Sequence, residues 1–305
     1  MSRVAWITLS AAALVLLGAV ATVAVLAGGD AKTTSVARPI TTPSSPTRSF
    51  ALPLTDDPSA LALAEHRRDV LVGLAARPGG PVEIAALRAE TPFATSALQI
   101  QIDGRKVAAQ ACGAGCSRIQ TAVLDGASKR LTVRAGSSSF SFDLPARLPP
   151  SGAGLFARAQ RTMDGLRSFR FSERLSSGRA GITTALEVQA PDRLRLRSAN
   201  GFQSVIIGHT RWDYHDGSWE RGPFPGLTVA DLLMWNKATN VRVVGRRSNG
   251  VTELTAFALR PVSAWFRLAV EPTGRVAEAE MISPSHFMVH RYSDFNGRVA
   301  IKPPN

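Results

Sequence analysis

Between residues 60 and 148 short apolar runs alternate with turn residues. "DVLVGLAARPGGPVEIAALRA" reads as a strand, a Pro-Gly-Gly-Pro turn and a second strand. In "LQIQIDGRKVAAQA" Asp103-Gly104 separates two alternating runs, a strong hairpin signal because a two-residue type I′ turn needs positive φ at both central positions. "KRLTVRAG" and "SFSFDLPA" continue the period of two. Several short strands without a helical stripe predict a small immunoglobulin-like β-sandwich. The prolines and glycines of "LPARLPPSGAG" (144–154) end the pattern and mark a domain boundary.

From residue 153 the period changes. Leu155, Ala159, Met163 and Leu166 recur at helical spacing, with Arg158, Arg161 and Asp164 on the opposite side. Antiparallel strands follow. "DRLRLRS" places Leu194 and Leu196 inward and its arginines outward, and "HTRWDYHDGSWERG" is a hairpin turning at Asp216-Gly217. "GLTVADLLMWNK" interrupts the strands: Thr228 with Asp231 makes a capping box and Leu227 with Leu232 a staple, predicting a short helix over 229–236. Its apolar load (Val229, Leu232, Leu233, Met234, Trp235) exceeds one helix face, so another element has to cover the surplus. "ELTAFALR", "AWFRLAVEP", "RVAEAEM" and "HFMVHRYSDFN" are further strands.

The chain begins with Arg3 followed by an uncharged run from Val4 to Gly29. A bilayer-spanning helix needs about 20 apolar residues, more than a secretory core of roughly 7–15. Residues 1–29 are therefore expected to form a transmembrane signal anchor, its amino terminus cytoplasmic and the bulk of the chain extracytoplasmic; cleavage after Ala27, Gly28 or Gly29 is the alternative. Residues 30–59, rich in Thr, Ser and Pro, read as a disordered tether.

Net charge is +13, carried mostly by arginine. That fits attraction to anionic head groups, or a coding bias toward Arg, Ala and Gly. Nucleic acid is not an expected partner, because no basic run interleaves with stacking aromatics. Cys112 and Cys116 in "ACGAGCS" suit a disulfide in an exported chain, closing a ring worth about 2 kcal/mol; a soft Cu(I) site is the alternative.

The order of elements over 153–305, with "APDRLRLR", "WFRLAVEPTGRV" and "HFMVHRYSDFN", resembles the LolA-like lipoprotein carriers, to which the lipid-carrying lipoproteins of mycobacteria belong. The exported portion is also similar to the extracytoplasmic tail of actinobacterial copper-resistance (CopD-type) membrane proteins, through "DVLVGLAARPGG", "CGAGC", the paired "TRW…GSWE" and the "HFM" ending. The resemblance implies a mainly β chain ending in a curved antiparallel half-barrel (153–305), whose capping helices cover an apolar hollow that accepts acyl chains. Candidates to line it are Trp212, Trp219, Leu232, Leu233, Trp235, Trp265 and Phe266; the same residues would equally fill a solid core. The mycobacterial relatives are held by a lipid on a cysteine that this chain lacks, so the expectation is a tethered protein that senses, presents or locally transfers a lipid or other hydrophobic ligand.

No nucleophile elbow, phosphate loop or H-E-x-x-H motif is present, and an enzyme is not expected. On a strand His286, Met288 and His290 share one face, with neighbours about 6.5–7 Å apart, so adjacent pairs would chelate a soft ion. The alternative to lipid binding is therefore an accessory role in copper handling, with copper as the cofactor where otherwise none is expected. A third reading is a structural module for another cell-envelope protein.

Overall fold

The computed structural model describes residues 57–177, 181–258, 263–284 and 286–305. The expected anchor and nearly all of the expected tether lie outside the described residues. Among those described, no helix is long and apolar enough to cross a membrane.

In chain order the first strands are β1 Leu61–Arg67, β2 Val70–Ala76, β3 Val82–Arg88, β4 Thr91–Pro92, β5 Leu98–Ile102, β6 Arg105–Val107, β7 Gln110–Gly113, β8 Cys116–Ile119, β9 Lys129–Ala135 and β10 Ser138–Leu144. Helix α1 (Ala153–Asp164) leads into β11 Ser168–Ser176, β12 Gly181–Gln189, β13 Arg193–Ser198, β14 Gln203–Ile207, β15 Thr210–His215 and β16 Ser218–Pro223. Helix α2 (Val229–Leu232) precedes β17 Thr239–Arg246, β18 Thr252–Ala258, β19 Ala264–Val270, β20 Val276–Ile282 and β21 Phe287–Ser293.

The first ten strands form a six-stranded sheet, β1-β2-β3-β8-β7 with β4 on β3, and a four-stranded sheet, β10-β9-β5-β6. Their inner faces meet in a core that includes Val72, Leu74, Ile84, Ile100, Leu131 and Phe140. Asp103 and Gly104 take φ of 51° and 78°, so the β5–β6 hairpin turns as its sequence requires.

All seven residues of β2 are buried. Val70, Val72 and Leu74 face the sandwich core. Leu71, with Ala62, Ala85 and Leu87, packs instead against Phe257, Trp265, Ile282 and Phe287 of the large sheet. A Cβ on Gly73 would lie 2.3 Å from the Trp265 ring; only glycine allows so close an approach.

The remaining strands form one antiparallel sheet of eleven, β16-β15-β14-β13-β12-β11-β21-β20-β19-β18-β17. The chain runs outward from β11 to the β16 edge, crosses through α2 to the β17 edge, and returns until β21 pairs with β11. The mainly β expectation therefore holds.

The helices differ in detail from the sequence pattern. Phe156, Ala159 and Met163 form the buried stripe of α1, while Leu155 is only half-buried. The predicted second helix stops after one turn: Thr228 and Asp231 form the capping box, but Leu233 leaves the helical region at φ −89°, ψ 84°. The break has a packing reason. In a continuing helix Leu233 and Trp235 would splay about 160° apart, whereas the turn that replaces it buries both together with Leu232.

Candidate functional site

Cross-strand partners in an antiparallel sheet project to the same side, so the register defines the two faces of the large sheet. On the inner face Phe171 lies opposite Tyr292 and Leu186, Leu186 opposite Leu196, and Leu196 opposite Ser204. A parallel row runs from Phe169 through Val188, Leu194 and Ile206. Farther along, Leu175, Met288, Met281 and Phe266 form another row.

This floor is covered by α1 and the α2 segment. Trp235, 0% exposed, stands edge-on to Phe156 of α1 with ring centroids 5.5 Å apart. Gln160 of α1 donates to the carbonyl of Asn236 at 2.6 Å, fastening the segment to the helix. Leu232 and Leu233 complete the plug, each 3% exposed. Three of the expected lining residues, Leu232, Leu233 and Trp235, are therefore shielded from solvent.

Between the aromatic and methionine rows lies a polar pair. Nε2 of His290 is 2.8 Å from a carboxylate oxygen of Glu173, and Nδ1 is 3.2 Å from the Tyr292 hydroxyl. His290 is 0% and Glu173 3% exposed. A buried imidazole and carboxylate are tolerated here because each meets a partner. Burial pushes the Tyr292 phenol well above its ordinary value, Trp235 opposing and the Glu173 charge reinforcing the shift. Beside the pair in register, the hydroxyls of Thr184 and Ser198 are 2.8 Å apart. Glu173 and His290 are 117 positions apart in the chain; the one local hint was a carboxylate on the apolar parity of Phe169, Phe171 and Leu175.

Phe266 lies on the inner floor, opposite Met281, and Leu232, Leu233 and Trp235 belong to the covering segment, but three expected lining residues lie elsewhere. Trp265, beside Phe266 on the strand, faces the opposite side, where the sandwich covers it. Trp212 lies opposite Val205, and Trp219 opposite Tyr214, which places both on the outer face. Here the inner register is continued by Asp213, opposite Ser204, and by Arg211, opposite Ile206, ion-paired to each other at 2.7 Å.

His286, Met288 and His290 are not presented as one ligand set. Both ring nitrogens of His290 are engaged in the interior, and Met288 belongs to the floor. His286 precedes β21 in a turn where its backbone pairs with Ser283, and burial lowers its pKa, with Glu90 opposing. Cys112 and Cys116 are joined as a disulfide. Glu83 approaches them, so that one ligand atom from each of the three lies within 4.8 Å of the others; Glu83 also pairs with Arg118.

On the other side of the sheet, a cleft of about 1170 Å³ separates the sandwich from the outer face, lined by residues such as Leu63, Phe142, Pro149, Thr255, Arg267 and Glu280. Arg267 spans it to Glu65. Burial raises the Glu280 pKa, with Arg267 opposing.

No protein-family model matches the chain, and no curated protein matches it in sequence. Among solved structures it is similar to the Mycobacterium tuberculosis lipoprotein LppX, at 15% identity and a TM-score of 0.39, over 50% of this chain and 100% of that one. LprF from Mycobacterium bovis is similar at 11% identity and a TM-score of 0.39, over 51% of this chain and 99% of that one. A DUF1329 family protein from Desulfovibrio piger follows at 10% identity and 0.25, over 49% and 94%.

Proposed function

We propose that this chain is a non-enzymatic binding protein for a long-chain lipid or similar hydrocarbon, held outside the cytoplasm by an N-terminal membrane anchor. The observation that carries the reading is the covering of the inner face. Among the described residues one twelve-residue helix and a single helical turn, rather than a second sheet, lie over an apolar floor belonging to an eleven-stranded sheet. The resemblance of "APDRLRLR" and "HFMVHRYSDFN" to the LolA-like carriers supports it.

On this reading Leu232, Leu233 and Trp235, buried beneath α1, plug the hollow, and a guest has to displace them. Re-exposing Leu232, Leu233 and Trp235 costs about 5–9 kcal/mol at roughly 1.5–3 kcal/mol per large apolar side chain. A guest recovers about 0.8 kcal/mol per buried methylene, so about six to eleven methylenes offset the opening. The site therefore selects for length: short acids cannot open it, and chains of membrane-lipid length can. Native mass spectrometry of the full chain purified in detergent tests the reading. An adduct of lipid mass, retained through exchange into a second detergent, supports it; bare protein before and after incubation with a C16 acid rejects it.

The copper alternative is favoured by one observation, the approach of Glu83 to Cys112 and Cys116. It requires the disulfide to be reduced first. A stoichiometric copper adduct on the reduced chain, lost on Cys112→Ser, would support it there; an adduct that survives Cys112→Ser would reject that site.

A further inference from the structure

We propose that the outer face of β13–β16 is a docking surface for an anionic lipid membrane, separate from the plugged hollow and independent of any guest within it. The register assembles the surface. Arg195 lies opposite Val205 and Arg197 opposite Gln203; those two lie opposite Trp212 and Tyr214, which in turn face Arg221 and Trp219. Arg193 joins the row opposite Ile207. Four arginines, two tryptophans and a tyrosine thus share one face.

The carboxylates of these strands go the other way. Asp213 and Glu220 are partners in register and continue the inner face from Ser204, while Asp216 sits in the hairpin turn. The outer face of β13–β16 consequently holds four cations and no acid of its own strands. Glu187 from β12 takes up Arg195, and Arg193 donates to the Ile301 carbonyl, but Arg197 and Arg221 are exposed. The carboxyl-terminal segment adds charge: Ile301 is anchored through its N–H to the Gln189 side chain, leaving Arg298 and Lys302 exposed on either side.

The aromatic rings are arranged for an interface rather than for a core. Trp212, Tyr214 and Trp219 are half-buried. Arg221 lies over the Trp212 ring at 5.8 Å, and the Tyr214 and Trp219 rings are 5.2 Å apart. Rings with an apolar body and a polar edge concentrate at the head-group level of bilayers, and arginine forks pair with lipid phosphates. β16 is an end strand of the eleven-stranded sheet, so the patch runs to the sheet edge. The occupant is fixed by charge complementarity: a planar anionic surface satisfies guanidinium and indole groups together.

The test uses the full chain in lipid nanodiscs, so that any contribution of the N-terminal segment is common to all samples. Phosphatidylcholine discs are compared with discs containing about one-third phosphatidylglycerol, and backbone hydrogen exchange is read over 210–223. The expected result is slower exchange of this hairpin in the anionic discs, by about tenfold or more. Half-molar salt, which shortens the Debye length to a few ångströms, should remove the difference. At about fivefold in affinity per basic residue near an anionic surface, the Arg197→Glu/Arg221→Glu variant should lose it as well. Unchanged exchange across β18–β20 shows that the variant is folded. Equal exchange in both discs, protection that survives in the folded variant, or protection that appears in neutral discs with rising protein concentration (self-association at the β16 edge) overturns the proposal.

Discussion

Trp235→Ala is the substitution that most sharply separates a plug from an ordinary core residue. Trp235 is fully buried against Phe156, and truncating an aromatic side chain in such a place costs about 3–5 kcal/mol. For a folded region of this size each kcal/mol moves the melting temperature by roughly 2–4 °C, so the variant should melt about 6–20 °C below the parent. If the inner face takes hydrocarbon, the substitution also removes much of the work of opening. A saturating C16 acid should then raise the melting temperature of the variant more than that of the parent, by linkage. Differential scanning calorimetry of both full-length chains, with and without the acid, reads both quantities. A drop of the stated size with no rescue by the acid would mean that Trp235 fills a core that has no use for a guest.

Other residues give independent expectations. Gly73→Ala forces a methyl into the Trp265 ring and should destabilise by about 1–3 kcal/mol, the usual overpacking cost; chemical denaturation measures it, and Trp265→Leu in the same chain should relieve part of it. Glu173→Ala leaves His290 Nε2 unpartnered in the interior and should cost about 1–3 kcal/mol, with Glu173→Gln, which keeps an acceptor, costing less in the same assay. His66 is stacked on Phe287 at 3.9 Å, and burial lowers its pKa below the ordinary histidine value of about 6.5. The unfolded chain therefore takes up the proton first as pH falls. Stability that is fully present above about pH 6.5 should be lost as pH drops through the folded value, and denaturant midpoints measured from pH 7.5 to 5 should fall less steeply in His66→Phe.

Much of the architecture was legible because local chemistry dictated it. Asp103-Gly104 and Asp216-Gly217 both adopt positive φ between paired strands. The apolar run of β2 reads as a strand and is one, although its burial on both sides appears only in the structure, and the Thr228–Asp231 box appears with both of its hydrogen bonds. What failed was the assignment of faces. Alternation shows which residues share a side of a strand but not which side the rest of the sheet turns inward. In the β15–β16 hairpin the aromatic parity looked like the interior. The register carried across from β14 instead puts Asp213 and Arg211 there and the tryptophans outside. Trp265 and Phe266 misled for a related reason: with the sandwich docked on one face and the plug on the other, both neighbours are buried and sequence cannot tell their surroundings apart. The Glu173–His290 pair was out of reach because it depends on β21 returning to β11, a closure no local pattern specifies.

Lipid binding here requires a hollow that opens for hydrocarbon of sufficient length. Isothermal titration of the full chain with saturated fatty acids of 8, 12 and 16 carbons, below their micellar concentrations, tests this most directly. No detectable binding is expected at 8 carbons, and saturable one-to-one binding at 16. No heat at any length, or affinity that ignores chain length, would contradict it.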